Sequence, residues 1–391
     1  MVEVYLYPAD SGDFLRIRFG DEKNSYHNFM IDGGTGKNKL FYYRVLRSIV
    51  ESNEKADLLI THFDDDHIVT PLKVLNEYKS SVHTGCKGLE ETIEHIYINT
   101  FRNISAALKE KDPDVAEYDC DIGVPDTSST LYSASSHIAF MEIIEKRGLG
   151  KCVADDILVA GNVLERYGAK LYIISPSEKA LINLCKYWKD YLKKREEEAH
   201  RKVLYSGLSY KKSTQGTKDL ELLMDSQDDP DRSVTNLSSL AFLFEYEDVR
   251  ILLTGDAGAN IMEEGLKKID SDIVGQVDLF KLSHHGSYRN ISDKLLQTFP
   301  SKDYLLSTNG KKGNPSKITL AKLLRNRQPI RIYCNHNWYY NNSTGFLSKS
   351  DETKYIDTGL LSIICPSGAG KPVECKIENK ENLRVYVGPN K

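Results

Sequence analysis

The segment 61–67 constrains the fold more than any other part of the chain. It reads THFDDDH, so two imidazoles and three carboxylates follow directly on the apolar run at residues 58–60. Such a run predicts a buried strand, and side chains just beyond the carboxyl end of a strand in an α/β sheet often bind ligands. Imidazole nitrogens combined with carboxylate oxygens suit Zn²⁺, and also Mn²⁺ or iron. A solvated acidic turn is the alternative interpretation.

Two later segments repeat the arrangement of an apolar strand followed by ligand-type side chains. The run at residues 249–253 leads into Thr254, Gly255 and Asp256, and the run at 279–282 leads into the sequence SHHGS at 283–287. A Gly-Asp turn or a histidine pair is weak evidence when it stands alone. Three strand ends that all carry metal-ligand side chains predict a shared metal site.

These motifs resemble those of the metallo-β-lactamase-fold hydrolases, most closely the subgroup that includes the C-terminal domain of the DNA-uptake channel ComEC. The subgroup signature His-x-Asp-x-Asp-His is matched at residues 62–67, its LLTGD motif at 252–256 and its HHGS motif at 284–287. An upstream Asp-Gly-Gly follows a predicted strand at 32–34. The resemblance covers residues 1–80 and 235–365.

The resemblance implies an α/β protein with the αββα sandwich of that fold. We expect one domain over residues 1–391, with residues 81–235 as a long central insertion of helical character. Residues 366–391 suggest appended C-terminal strands.

The resemblance also implies two divalent metal ions, Zn²⁺ or Mn²⁺, and a ligand for each motif position. By motif position the first ion belongs to His62 and Asp64, the second to Asp66, His67 and His284, and Asp256 bridges them. A bridging carboxylate partly neutralises two dications that lie about 3.5 to 4 Å apart. In the family, the residue that corresponds to Asp32 braces the metal loop without binding metal.

The chain departs from the larger family at one ligand. A histidine normally lies about twenty residues before the Gly-Asp motif, but this chain has the sequence TNLSS at 235–239. Asn236 offers only a neutral amide oxygen, which is a poor zinc ligand, so the first ion is expected to bind weakly or to favour Mn²⁺. Asn236 either binds this ion or only caps a turn, and the sequence leaves both open.

Several residues near the motifs are candidates for catalysis. Asp66 is expected to orient the attacking water as well as to bind metal. Of the histidine pair we favour His284 as the ligand, because it comes first after the strand, and His285 as the substrate contact or acid for the leaving group. Ser287 and Arg289 are candidate substrate contacts, although a structural salt bridge is an equally good interpretation of Arg289.

The resemblance favours a metal-dependent phosphodiesterase or nuclease that uses a metal-activated water. Its substrate would carry phosphate, as a nucleic acid or nucleotide does, and a basic rim is expected from Lys281, Arg289, Lys311 and Lys312. One alternative is a hydrolase of a carboxylic ester, lactone, thioester or amide. Another is a non-catalytic interaction subunit of a larger complex, with a structural or vestigial metal site.

Composition limits the remaining possibilities. The net charge of −4 over 391 residues excludes a global basic field for nucleic acid, but not a local one. No apolar run approaches the ~20 residues of a membrane span, and the N-terminus lacks signal-peptide character. The seven cysteines form no Cys-x-x-Cys pair, so neither a disulfide framework nor a zinc knuckle is indicated and a reducing cytoplasm is expected.

Periodicity predicts the elements around the motifs. We expect helices at 39–51, 71–77 and 177–200, and a hairpin that pairs residues 240–244 with 250–253. The polar tract 203–233 is expected to be a mobile loop near the site. Its Lys211, Lys212 and Lys218 either contact phosphate or serve solubility.

Overall fold

The computed structural model describes residues 1–21, 25–78, 88–115, 133–199, 219–311, 313–339, 346–366, 371–377 and 383–387. Two β-sheets pack face to face, and helices cover the outer side of each sheet. This is the mixed α/β, αββα sandwich that the sequence predicts.

Seven of the described strands form the first sheet. They are β1 (Val2–Leu6), β2 (Phe14–Asp21), β3 (Ser25–Asp32), β4 (Lys55–Leu59), β5 (Ile93–Tyr97), β14 (Val373–Ile377) and β15 (Leu383–Val387). Their order across the sheet is β15-β14-β1-β2-β3-β4-β5, and β3, β4 and β5 run parallel.

Eight of the described strands form the second sheet. They are β6 (Val163–Arg166), β7 (Ala169–Ser175), β8 (Ala241–Tyr246), β9 (Val249–Leu253), β10 (Leu279–Lys281), β11 (Asp303–Leu306), β12 (Ile330–Cys334) and β13 (Leu361–Ile364). Their order is the reverse of the chain order, from β13 to β6. The strands from β9 to β13 are parallel, whereas β8 and β9 form the expected antiparallel hairpin.

The α-helices of the described ranges connect these strands. They are α1 (Lys39–Glu51), α2 (Asp65–Glu77), α3 (Leu89–Thr92), α4 (Phe101–Leu108), α5 (Ser133–Lys146), α6 (Glu178–Ala199), α7 (Leu220–Leu223), α8 (Val234–Leu237), α9 (Ala259–Leu266), α10 (Asp293–Thr298), α11 (Lys317–Leu324) and α12 (Lys349–Asp351). Helices α1, α2, α4, α5 and α6 cover the first sheet, and α9, α10 and α11 cover the second.

Strand β2 shows how the sequence pattern produces the central core. Leu15, Ile17 and Phe19 alternate with arginines, so one face of the strand is apolar. The apolar side chains are buried between the two sheets. Arg16 and Arg18 point to the opposite face, where burial without a partner would be costly, and both pair there with Glu54.

The parallel strands position the candidate site. Strands β3 and β4 end at one edge of the first sheet, and β9, β10 and β11 end at one edge of the second. The loops that follow these strands carry all three sequence motifs. The facing edges of the two sheets therefore hold the ligand-type side chains in one place.

Helix α2 begins earlier than expected. The sequence predicts a helix from Pro71, but α2 starts at Asp65, so Asp66 and His67 lie in its first turn. Asp64 is the extended residue before the helix, and carboxylates are favourable near the positive end of the helix dipole. The metal motif is therefore a short loop continued by a helix.

The middle and the C-terminal end of the chain both contribute to the sandwich. Residues 81–235, expected to be an insertion, supply β5 to the first sheet and β6 and β7 to the second. Strand β14 pairs with β1, so the C-terminal strands extend the first sheet. Lys211, Lys212 and Lys218 of the expected mobile loop lie outside the described residues. No helix within the described ranges is long and apolar enough to cross a membrane.

Candidate metal centre

Phe63 anchors the first motif in the core. It lies between His62 and Asp64, and its ring packs against His137, Phe140 and Trp188 at centroid distances of 5.0, 6.1 and 5.5 Å. Successive side chains of an extended segment point to opposite sides. Burying Phe63 therefore turns its two neighbours toward the sheet edge.

Asp32 accepts three hydrogen bonds from the first motif. Its carboxylate accepts hydrogen bonds from the Thr61 amide at 2.8 Å, the Thr61 hydroxyl at 2.7 Å and His67 Nδ1 at 2.8 Å. Since the Thr61 hydroxyl donates to Asp32, its oxygen is left to accept from His62 Nδ1, 3.0 Å away. Both imidazoles thus carry a proton on Nδ1 and direct Nε2 away from Asp32.

Asp256 is held by its own backbone and by Lys281. Gly255 has a φ of +47°, and a Cβ at this position would lie 2.5 Å from Ser239 Oγ, so the turn requires glycine. Ser239 Oγ accepts the Asp256 amide proton at 3.1 Å, and Lys281 Nζ donates to the Gly255 carbonyl at 3.0 Å. This turn directs the Asp256 carboxylate toward the first motif.

The paired histidines leave β10 in an uncommon backbone conformation. His284 and His285 both have positive φ, at +46° and +55°, and Gly286 follows at +79°. Such strain costs about 1–3 kcal/mol per residue and clusters at functional sites. His285 Nδ1 donates to the Ser307 carbonyl at 2.9 Å, and His284 Nδ1 donates to Asp231 at 3.2 Å.

Three imidazoles converge on one carboxylate oxygen. Asp256 Oδ2 lies 3.4 Å from His67 Nε2, 3.7 Å from His285 Nε2 and 3.8 Å from His284 Nε2. His62 offers a further ligand atom within 4.8 Å of those of His67 and Asp256. Asp256 therefore lies at the centre of this group of ligand-type atoms.

Asp64 and Asp66 of the first motif lie at the same edge, beside different histidines. Asp66 Oδ2 is 3.7 Å from His285 Nε2, and Asp66 Oδ1 is 3.9 Å from His67 Nε2. Asp64 Oδ2 is instead 3.6 Å from His62 Nε2. The ligand-type atoms thus form two groups, with Asp256 between them. The Asp64 side consists of Asp64 and His62, and the Asp66 side consists of Asp66, His67 and His285.

The chemistry of these atoms fits divalent cations. The Nε2 atoms of His62, His67 and His285 and Oδ1 of Asp256 are buried and have no hydrogen-bond partner. Buried polar atoms without partners are costly, and each is a lone pair that a cation would satisfy. The nitrogen and oxygen donor set suits Zn²⁺ and Mn²⁺ alike.

The carboxylates perturb the titration of His67, His284 and His285. Burial favours a neutral ring, yet Asp256, Asp13 and Asp66 raise the pKa of His285 to about 10. The pKa of His67 is also raised, against burial, by Asp256 and Asp32. Protons and metal ions therefore compete for the same Nε2 atoms.

The two consecutive histidines face different neighbours. His285, expected to contact substrate, is buried beside Asp66 and Asp256, where the sequence places the second ion. His284, expected as the ligand of that ion, is 30% exposed, and its Nδ1 lies 3.2 Å from Asp231. The reason is the left-handed backbone at both residues, which the order along the chain does not reveal.

Several expected substrate contacts have other partners. Lys281, expected on a basic rim, is buried and paired with Asp13. Arg289 Nη2 lies 2.9 Å from Asp229 in an exposed salt bridge, which was the alternative interpretation of this residue. Ser287 is buried, and its hydroxyl accepts the Arg289 amide proton at 3.3 Å. Lys312 lies outside the described residues.

Asn236 lies beside the site with its amide nitrogen already engaged. Its Nδ2 is 2.7 Å from Asp231 Oδ2 and 3.2 Å from His284 Nδ1. Direct metal binding by Asn236 stays a prediction.

Sequence reasoning missed two buried aspartates. Asp13 Oδ1 lies 3.5 Å from His285 Nδ1, and Asp231 accepts from His284. Asp13 opens a predicted strand and Asp231 lies in a polar tract, so neither position carries a local signal of metal chemistry.

A second acidic cluster lies away from these motifs. Asp57, Glu94 and His95 bring ligand-type atoms together, but Arg166 lies among them. Its guanidinium is 3.0 Å from Asp57, 3.3 Å from Glu94 and 2.7 Å from His95 Nδ1. The arginine already supplies the positive charge there.

Comparison with known proteins gives only distant structural similarity. No protein-family model and no curated protein matches the chain. A protein described as a metal-dependent hydrolase from Parabacteroides distasonis is 12% identical, with a TM-score of 0.32, over 84% of this chain and 98% of that one. The metallo-β-lactamase-fold protein YhfI from Bacillus subtilis is 7% identical, with a TM-score of 0.33, over 95% and 99%. A long-form RNase Z from yeast is 8% identical, with a TM-score of 0.33, over 100% of this chain and 49% of that one. These likenesses are too distant to bear on chemistry.

Proposed function

We propose that the chain is a metal-dependent hydrolase that holds two divalent cations at the sheet edge. The observation that carries this proposal is the convergence of buried Nε2 atoms on Asp256, each with its Nδ1 proton committed to another acceptor. A ring held in this way presents a lone pair where a cation would lie.

The geometry supports one histidine ligand pair on each side of Asp256. His62, Asp64 and His284 would hold the first ion, and Asp66, His67 and His285 the second, with Asp256 shared. This allocation gives each ion two imidazoles. It also supplies the first ion with a second histidine, His284, although position 236 is an asparagine.

The bound cations would lower the pKa of a water and stabilise the negative charge that develops on the substrate. Asp66 is placed to orient that water, since its side chain is 20% exposed beside His285. His285 and His67 hold the pKa of Asp66 well below its usual range, although burial opposes this. Its place beside both His285 and His67 supports a role in orientation.

We propose a phosphodiester as the substrate class, a nucleic acid or nucleotide being the natural form. The motif match to the ComEC-like subgroup supports this. The expected basic rim supports it less than the sequence suggested, because Lys281 is buried and Arg289 is paired. Lys311 is exposed on the loop after β11, which borders the site through Ser307.

The test combines metal analysis with hydrolysis assays on the full chain. Purified protein is loaded with Zn²⁺ or Mn²⁺, its metal content is measured, and it is offered bis-p-nitrophenyl phosphate beside carboxylic ester, lactone, thioester and amide substrates. We expect two ions per chain and turnover of the phosphodiester. If only a carboxylic ester, lactone, thioester or amide is hydrolysed, the proposed metal site stands but the phosphodiester assignment is refuted.

Two matched variants make this test specific. Asp256→Asn removes the shared carboxylate and should abolish both metal binding and turnover. His95→Ala removes a histidine from the cluster that Arg166 occupies and should change neither. A folded wild-type chain that binds no divalent cation would overturn the hydrolase proposal and favour an interaction subunit.

A further inference from the structure

Asp231 is a buried carboxylate at the hub of a hydrogen-bond network behind His284. Its Oδ2 accepts from Asn236 Nδ2 at 2.7 Å, Asn290 Nδ2 at 3.0 Å and His284 Nδ1 at 3.2 Å. Its Oδ1 accepts the Ser233 amide proton at 2.9 Å. With four donors directed at it, the carboxylate has one orientation.

The network ties together three segments that are distant in the chain. The Asp231 amide donates to the Arg289 carbonyl at 3.3 Å, which joins it to the loop after the paired histidines. Asn290 Nδ2 also donates to the Asp256 carbonyl at 3.0 Å. A shift of Asp231 would therefore displace the backbone on both sides of the metal centre.

The neighbours of Asp231 place His284 on the Asp64 side. Thr235 and Asn236 are consecutive residues of helix α8. The Thr235 hydroxyl donates to Asp64 Oδ2 at 2.9 Å. Asn236 Nδ2 donates to Asp231 Oδ2 at 2.7 Å and lies 3.2 Å from His284 Nδ1. One short helix thus contacts both Asp64 and His284. His285 points away from this helix, toward Ser307.

His284 depends on Asp231 for its ring orientation. The ring is 30% exposed, so packing alone does not fix it. The hydrogen bond from Nδ1 to Asp231 holds it with Nε2 3.8 Å from Asp256 Oδ2. A carboxylate that accepts from the far nitrogen of a ligand histidine fixes both its tautomer and its angle.

We propose that Asp231 is a positioning residue that orients His284 as a ligand of the first ion, in place of the histidine that position 236 lacks. This inference rests on the two-ion site of the proposed function. Asp231 touches neither ion and acts only through the imidazole. Asn236 then serves the site by holding Asp231, which gives its neutral amide a role other than direct ligation.

The experiment measures metal binding without substrate. Metal-free full-length protein is titrated with Co²⁺ in competition with a chromophoric chelator, and the visible absorption of the bound Co²⁺ is recorded at each equivalent. For Asp231→Asn we expect the affinity of one site to fall about 10–100-fold with a changed Co²⁺ spectrum, while the other site is unaffected. Two sites of unchanged affinity and spectrum would overturn the proposal.

A double-mutant cycle separates positioning from general damage. His284→Ala should weaken the same site, and the double variant Asp231→Asn/His284→Ala should lose no more than His284→Ala alone. Additive losses would mean that Asp231 does not act through His284, and would refute the proposal.

Asp229→Asn is the matched control. Asp229 lies two positions from Asp231 but forms an exposed salt bridge with Arg289, so this variant should bind both ions normally. Circular dichroism and thermal unfolding of the metal-free variants establish that each is folded. If Asp231→Asn does not fold, Asp231→Ser replaces it, and the same affinity loss is required.

The outcomes distinguish this inference from the proposed function. A wild-type chain that binds two Co²⁺ ions but hydrolyses no phosphodiester would refute the proposed activity. The Co²⁺ titration would still test the positioning role of Asp231. A wild-type chain with full activity and an unaffected Asp231→Asn variant would refute only the positioning role.

Discussion

His137 makes the stability of the chain sensitive to acid. Its Nε2 accepts the Phe101 amide proton at 3.1 Å, and its ring lies between Phe63 and Trp188 at centroid distances of 5.0 and 4.9 Å. Burial lowers the pKa of His137 from 6.5 to about 4. The neutral ring is therefore part of the support beneath the metal loop.

The sign follows from comparing proton binding in the two states. Between about pH 6.5 and pH 4 the unfolded chain protonates this histidine and the folded chain does not, so stability falls as the pH falls through that range. With these two pKa values, lowering the pH from about 7.5 to about 5 lowers the free energy of unfolding by about 2 kcal/mol. Because part of the side chain is exposed, we expect a loss of about 1 to 2 kcal/mol from this residue.

The assay is urea unfolding of metal-free protein at the two pH values, followed by circular dichroism. The variant His137→Gln keeps an acceptor for the Phe101 amide but does not titrate. Both proteins share every other titrating group, so the difference in their pH-dependent losses isolates His137. Equal losses in the wild type and the variant would refute the reasoning, because the ring would then be equally easy to protonate in both states.

Three further predictions concern the support of the metal centre. Asp32→Ala removes the acceptor that orients the first motif and should weaken metal binding about 10–100-fold in a chelator competition. Gly12→Ala places a Cβ 1.7 Å from the Asp66 carbonyl oxygen, so it should displace Asp66 and lower the metal content measured by elemental analysis. Lys281→Met leaves Asp13 buried without its countercharge and should destabilise the chain by about 3–5 kcal/mol in urea unfolding.

Each of these predictions has an outcome that contradicts it. Unchanged metal affinity in Asp32→Ala would mean that the first motif keeps its orientation without the carboxylate. Full metal content in Gly12→Ala would mean that the two loops can separate at no cost to the site. For Lys281→Met, a loss below about 1 kcal/mol would show that Asp13 takes up a proton readily when its partner is removed.

The sequence by itself determined which residues reach the sheet edge. Apolar runs of strand length end directly before residues 61, 254 and 283, and strand polarity then brings these segments to the same edge. The apolar spacing at residues 39–51 likewise predicted α1 with its observed bounds. Local pattern suffices here because burial selects the period of the side chains.

Tertiary structure decided what each of these side chains faces. The left-handed backbone of His284 and His285 is accompanied by distant contacts, with Asp231 and Ser307, and it turns the two rings toward different neighbours. Asp13 and Asp231 became part of the site in the same way, since their partners lie in other segments. Spacing along a chain fixes where a residue stands on its element, but the direction of a side chain beyond a strand end is set by whatever packs and hydrogen-bonds against it.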